Sequence, residues 1–139
     1  MDYKLELILL PVEDIDRAKA FYIDTLQWGL IVDHSPNDDF RIVQVNPPGS
    51  ACAFGFGKGI GVTAPPGSTR GLHLMVDDIV AAREELVAKG ADVKGIRNVG
   101  PDGVWHDGPH PDRADYNSFA EFSDPDGNVW LLQERGYSE

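Results

Sequence analysis

The stretch from Phe122 to Glu134, Phe-Ser-Asp-Pro-Asp-Gly-Asn-Val-Trp-Leu-Leu-Gln-Glu, constrains this chain more than any other. Asp124-Pro125-Asp126-Gly127-Asn128 joins a Pro that fixes φ, an Asp able to accept from its own backbone two residues on, and a Gly tolerant of positive φ. A strand end, a tight turn and a second strand are the favoured reading. The layout recurs earlier, where Pro47-Pro48-Gly49-Ser50-Ala51-Cys52-Ala53-Phe54 follows the pattern of Pro125 to Leu132. A second pair of segments, Val12-Glu13-Asp14-Ile15-Asp16-Arg17-Ala18 and Val76-Asp77-Asp78-Ile79-Val80-Ala81-Ala82, repeats Val, Asp, Ile and Ala in place. Two independent matches point to an internal duplication.

Each half then reads as strand, helix and three strands. Tyr3 to Leu10 is β-compatible and stopped by Pro11. Asp14 is a predicted N-cap, with Ile15, Ala18, Tyr22 and Leu26 on one helical face. Gln27-Trp28-Gly29 ends that helix. The runs 30–34 and 40–45 are predicted strands split by a turn at Ser35-Pro36-Asn37-Asp38, and 51–56 is a fourth. After the Gly- and Pro-rich segment 57–69 the pattern restarts. A strand over 71–76 leads to an N-cap at Asp78, and Ile79, Ala82 and Leu86 line a helix that stops at Lys89-Gly90. Strands over 91–99, 117–123 and 129–133 complete the second half. Between Asn98 and Asp115 lies a Gly/Pro/His-rich loop of a length usually associated with lids or binding loops. One domain is expected, with a first module over 1–57, a connector over 58–70 and a second module over 71–139.

Composition narrows the partners. The chain carries 12 Lys and Arg against 23 Asp and Glu, a net charge of −11, so nucleic acid or an anionic membrane would meet repulsion. The same balance would suit a cationic ligand. Cys52 is the single cysteine, which excludes an internal disulfide and fits a reducing compartment. There is no apolar run long enough to span a bilayer and no signal-peptide layout at Met1-Asp2-Tyr3-Lys4, so a cytoplasmic location is expected.

The two βαβββ modules, the Val12 to Tyr22 segment and the Phe-x-Asp-Pro-Asp-Gly-Asn turn at 122–128 resemble the vicinal oxygen chelate superfamily of glyoxalases, extradiol dioxygenases and bleomycin- or fosfomycin-resistance proteins. The resemblance implies an α+β fold whose paired modules form an open barrel-like cavity, and a homodimer. It also implies a divalent ion held by His, Glu or Gln from the first and fourth strands of each module. The corresponding positions here are Leu7, Gly71, Leu131 and Ala53, none of which offers a donor. No metal and no cofactor are therefore expected.

Residues two along a strand share a face, which brings Leu9, Gly55, His73 and Gln133 into the same implied cavity. The expected site is a mostly apolar pocket for a small organic molecule, in which His73, Gln133 and Glu121 are the candidate catalytic groups. Leu7, Leu9, Arg41, Ala53, Gly71, Trp105, Tyr116 and Leu131 are candidate ligand contacts. Arg suits a carboxylate and Trp gives a large rigid contact surface. Each has a plainer reading: His73 bonding a neighbour, Glu121 facing solvent, Arg41 simply solvated. His106 and His110 flank Asp107 in the long loop, where Gly108, Pro109 and Pro111 exclude the helix that would align the two rings. The expected function is either sequestration of the ligand or a cofactor-independent proton transfer of isomerase or lyase type. The alternative is a metal-dependent glyoxalase- or dioxygenase-type enzyme with non-standard ligands.

Overall fold

A computed structural model describes all 139 residues. It is an α+β fold of two units, residues 1–69 with 124–128, and residues 70–123 with 129–139.

In the first unit, β1 (Leu7–Leu9) runs parallel to β4 (Ala53–Lys58), with Leu7 opposite Ala53 and Leu9 opposite Gly55. β3 (Phe40–Asn46) and β2 (Gly29–Asn37) extend the sheet in the order β1-β4-β3-β2. Asp14 caps α1 (Ile15–Lys19) by accepting from the Arg17 N–H at 3.0 Å. The helix continues into a wider π-helical stretch, Ala20–Thr25, and closes on a Leu26 N–H to Phe21 carbonyl bond of 2.9 Å. Ala18, Tyr22 and Leu26 form its buried stripe, against Val43, Val45, Phe54 and Phe56 of the sheet. Tyr22 meets Phe54 edge-on at 4.7 Å, and Trp28 meets Phe54 at 5.9 Å.

The Asp124 turn belongs to this unit rather than to the strands it joins. Asp124 is buried and accepts from the N–H groups of Asp126, Gly127 and Asn128, from the Asn128 amide and from the Tyr22 hydroxyl. Asn128 in turn donates to the Pro11 carbonyl at 2.9 Å and accepts from the Thr69 N–H at 3.1 Å. Gly67 is required where it stands. Its φ is +76°, its N–H bonds the Pro11 carbonyl, and a Cβ there would lie 1.8 Å from the Asp126 carbonyl oxygen.

The second unit has the sheet order β5-β9-β8-β6-β7, formed by β5 (Leu72–Val76), β6 (Arg97–Val99), β7 (Trp105–Asp107), β8 (Ser118–Ser123) and β9 (Val129–Glu134). α2 (Ile79–Ala88) is capped by Asp78, which accepts from the Ala81 N–H at 3.1 Å. Ile79 and Leu86 bury against the sheet face that carries Leu72, Ala120, Phe122, Trp130 and Leu132. Neither sheet closes on itself. No helix is long and apolar enough to cross a membrane.

Three local expectations are corrected. The turn expected at residues 35–38 falls at Asp38-Asp39, and Ser35 and Pro36 stay in β2, where the register shifts between His34 and Asn37. Pro is tolerated at such a bulge on an edge strand. The strand expected over 91–99 is reduced to β6, with Val93 in an isolated bridge to Phe122. Arg83 explains this, because its guanidinium takes the carbonyls of Val93 and Lys94, both at 2.8 Å. The long loop contains β7, making the second module strand, helix and four strands. Pro101-Asp102-Gly103 supplies its turn, closed by Gly103 N–H to Gly100 carbonyl at 3.0 Å. The two units also differ in register: Leu7 is opposite Ala53, but it is His73, two residues beyond Gly71, that is opposite Leu131. A slip of two residues preserves which face each side chain occupies.

Candidate functional site

Strand alternation in the second unit sends Trp130, Leu132 and Glu134 toward α2, and Leu131 and Gln133 to the opposite face. β8 does the same with Ala120 and Phe122 against Phe119 and Glu121. β5 adds His73 and Met75, β6 adds Arg97, and β7 adds Trp105. The resulting concavity has a volume of about 470 Å³ and is lined by His73, Arg97, Trp105, Phe119, Glu121 and Leu131, among others.

Its floor is aromatic. Trp105 meets Phe119 at 5.3 Å between centroids, and His73 stands edge-on to Phe119 at 6.3 Å. Arg97 lies over the Trp105 ring at 5.2 Å, a cation–π contact. Glu121 forms an ion pair of 2.7 Å with Lys94, and that hydrogen bond holds the Lys94 ammonium above its ordinary range. Two cations thus border the pocket against one carboxylate, the reverse of the whole-chain balance that suggested a cationic ligand.

His73 is fixed from behind. Its Nδ1 lies 2.8 Å from Gln133 Oε1, and Gln133 Nε2 donates to the Tyr116 carbonyl at 3.0 Å. Tyr116 contributes through its backbone, held in the left-handed region at φ 68°, with its own N–H on the Glu134 carbonyl at 2.8 Å. Its ring is exposed and lies 5.7 Å from the Arg135 guanidinium. Glu134, directly after Gln133, is fully buried. Arg113 grips it through two bonds of 2.8 and 2.6 Å, and the Ile79 N–H adds a third at 2.8 Å. Burial pushes the Glu134 carboxyl up, but Arg113 and the Ile79 N–H outweigh it and leave the group below the usual carboxylate range.

His73, Gln133, Glu121, Trp105 and Leu131 therefore share one face of the second unit's sheet. Gly71 sits just ahead of β5 at φ +78°. Leu7, Leu9 and Ala53 share a face of the first unit's sheet. Arg41 does not join them. It follows the parity of Val43 and Val45 on the helix-covered face, where Asp33 grips it at 3.0 and 2.9 Å and Asp16 at 2.7 Å. Hydrogen bonds from Arg41 and Lys19 hold Asp33 well below the usual carboxylate range, so this guanidinium is committed within the unit. His106 alternates away from Trp105, and His110 Nδ1 accepts from the N–H groups of Asp112 and Ala114.

Sequence reasoning missed Lys94 and Arg97. The turn chemistry of Pro101-Asp102-Gly103 was the available signal: a hairpin there pairs Val99 with Trp105 and puts Arg97 on their face.

The divalent ion implied by the resemblance does not fit these residues. Leu7, Ala53, Gly71 and Leu131 carry no donor side chain, His73 opposite Leu131 is a single donor, and no group of three or more His, Cys, Asp or Glu is arranged to hold a metal. Within the pocket Glu121 is paired with Lys94, and His73, held at Nδ1 by Gln133, offers only the single nitrogen Nε2, fewer donors than a divalent site requires.

Comparison with known proteins agrees with this architecture. Residues 4–132 match the family described as the Glyoxalase/Bleomycin resistance protein/Dioxygenase superfamily. An uncharacterized protein of Shewanella frigidimarina (strain NCIMB 400) is 32% identical over 129 residues, covering 91% of this chain and 90% of that protein. Among solved structures, TnmS3, an antibiotic binding protein from Streptomyces sp. CB03234, is 34% identical with a TM-score of 0.70, covering 96% of each chain. A superfamily member from Sphaerobacter thermophilus DSM 20745 is 26% identical with a TM-score of 0.72, covering 96% of this chain and 98% of that one. With two sheet-and-helix units, a repeated turn and a family match over nearly its whole length, the chain belongs to the glyoxalase/bleomycin resistance protein/dioxygenase superfamily.

Proposed function

We propose that the protein binds a small, ring-bearing organic molecule on the face around His73, and does so without a metal ion. The observation that carries this reading is the aromatic floor of Trp105 and Phe119 beside Leu131, within a concavity of about 470 Å³. Small-molecule sites are typically ~300–1,000 Å³, largely apolar, with a few convergent polar groups. Further support comes from TnmS3, described as an antibiotic binding protein. A second reading is a proton-transfer enzyme of isomerase or lyase type, favoured by the hydrogen bond that orients the His73 ring.

Tryptophan fluorescence tests the binding site directly. Trp105 is 46% exposed, whereas Trp28 and Trp130 are 7% and 4% exposed, so a ligand on this face acts on Trp105. Titration with a panel of polycyclic aromatics should change the emission, and Trp105→Ala should weaken binding by about tenfold or more. Unchanged affinity in that variant would place the ligand elsewhere. Elemental analysis of the same protein decides the metal, since near-stoichiometric tight metal would overturn the metal-free reading. Turnover of a bound compound that is lost in His73→Ala, with binding retained, would select the enzyme.

A cytoplasmic homodimer accompanies this reading. The single Cys52 supports the compartment, and apolar Leu30 and Ile31, 45% and 53% exposed on edge strand β2, support the dimer. Light scattering at 15.2 kDa, one chain, would refute the dimer.

A further inference from the structure

We propose that Gln133 is a positioning residue that fixes His73 as its Nδ1–H tautomer, so that the pocket selects molecules presenting a hydrogen-bond donor to His73 Nε2. The ligand half of this statement rests on the binding reading above; the tautomer half stands on geometry alone.

The geometry leaves one assignment. A peptide carbonyl only accepts, so the Gln133 group facing the Tyr116 carbonyl at 3.0 Å is the NH2 end. The other end, Oε1, therefore faces His73 Nδ1 at 2.8 Å, and an amide oxygen also only accepts. The proton between them belongs to Nδ1. In a neutral imidazole the second nitrogen then carries a lone pair. His73 Nε2 is that nitrogen, and no side chain of the protein engages it.

Several features make the arrangement a built one. Tyr116 adopts a left-handed backbone that a tyrosine rarely occupies, φ 68°, and its N–H and carbonyl are both used, one by the Glu134 carbonyl and one by the Gln133 amide. Gln133 is opposite Phe119 in the β8–β9 ladder, which confines its side chain beside the ring that His73 also contacts. Other groups at the pocket do not compete for the imidazole: Lys94 is on Glu121 and Arg97 is over Trp105. The sequence places the acceptor where an apolar floor and one lone pair meet.

A phenol, an alcohol on a ring or an amide N–H satisfies that lone pair. An ether or ketone in the same place sets one lone pair against another. The expected preference is about tenfold for a donor over its methylated counterpart, the scale of one hydrogen bond.

Two measurements test this. Nitrogen shifts of isotope-labelled histidine, recorded well above the ordinary imidazole titration range, distinguish the tautomers, with the His73 signals assigned by their loss in His73→Ala. Wild type should show Nδ1–H for His73. Gln133→Met should move His73 toward the Nε2–H form, and Gln133→Glu should restore Nδ1–H, because a carboxylate also accepts. In parallel, naphthol and its methyl ether are titrated against the three proteins. Naphthol should bind about tenfold tighter to wild type and to Gln133→Glu, and the preference should disappear in Gln133→Met. An Nε2–H His73 in wild type, or a preference indifferent to Gln133→Met, overturns the proposal. Failure of both naphthalenes to bind wild type would sink the apolar-pocket reading and the selectivity with it, while the nitrogen shifts decide the tautomer by themselves.

Discussion

Arg113→Ala is expected to lower the unfolding free energy by about 3–5 kcal/mol, the usual consequence of removing one partner from a buried ion pair. Glu134 has no exposed surface, and Arg113 supplies two of the three hydrogen bonds on its carboxylate. The same guanidinium reaches Asp78, the cap of α2, at 3.2 Å and lies 3.6 Å from the Tyr137 ring centroid. Denaturant unfolding at neutral pH measures the loss. Replacing both partners, Arg113→Met with Glu134→Leu, should cost less than Arg113→Ala, because no buried charge is then left alone. If the double variant were the weaker of the two, the cost would lie in packing rather than charge.

The pH dependence separates those explanations further. In wild type the folded Glu134 carboxyl sits below its usual range. A carboxyl depressed in the folded state contributes fully above the ordinary carboxylate range, and that contribution is lost as pH falls through the lower folded value. Without Arg113, burial prevails and lifts the group instead, so the variant gains relative stability on protonation. The gap between wild type and Arg113→Ala should therefore be widest at neutral pH and shrink in acid. A gap independent of pH would show that Glu134 finds another cation.

The elements that were legible in the sequence were those written in local chemistry. Asp14 and Asp78 announce two helix starts because a short carboxylate before an apolar stripe has one favourable use, and both accept the predicted N–H. Period-two alternation gave the face of β9, hence Leu131 and Gln133. The shortened strand after Gly90 was not legible, because Arg83 captures two carbonyls from a different element and side-chain reach carries no periodic signature. Nor was Arg41, whose fate depends on Asp33 and Asp16 lying within its reach. His73 was found by parity, yet its tautomer follows from the Tyr116 carbonyl, which a sequence does not aim. The candidate site was thus legible to the face and not to the hydrogen bond.

The duplication is where sequence and structure diverge most usefully, and Asp124→Ala tests why. The turn looks like a connector of β8 and β9, but its carboxylate serves the first unit: five donors converge on it, the Tyr22 hydroxyl at 2.8 Å among them. Removing that carboxylate takes away the acceptor shared by the buried Tyr22 hydroxyl, the Asn128 amide and the turn N–H groups, so the expected loss is about 3–5 kcal/mol. Tyr22→Phe removes one donor and leaves the others on Asp124, so about 1–2 kcal/mol is expected. Hydrogen exchange should locate the damage. Amides of α1 and the Leu26 closure should lose protection ahead of the β8–β9 ladder, because Tyr22 packs the helix onto Phe54 and Phe56. Equal losses for the two substitutions would assign the effect to the Tyr22 hydroxyl alone. Loss confined to β8 and β9 would return the turn to the connector it resembles in sequence. The expected pattern makes Asp-Pro-Asp-Gly-Asn a structural clamp of the first unit's helix, a role in packing that requires no ligand or metal.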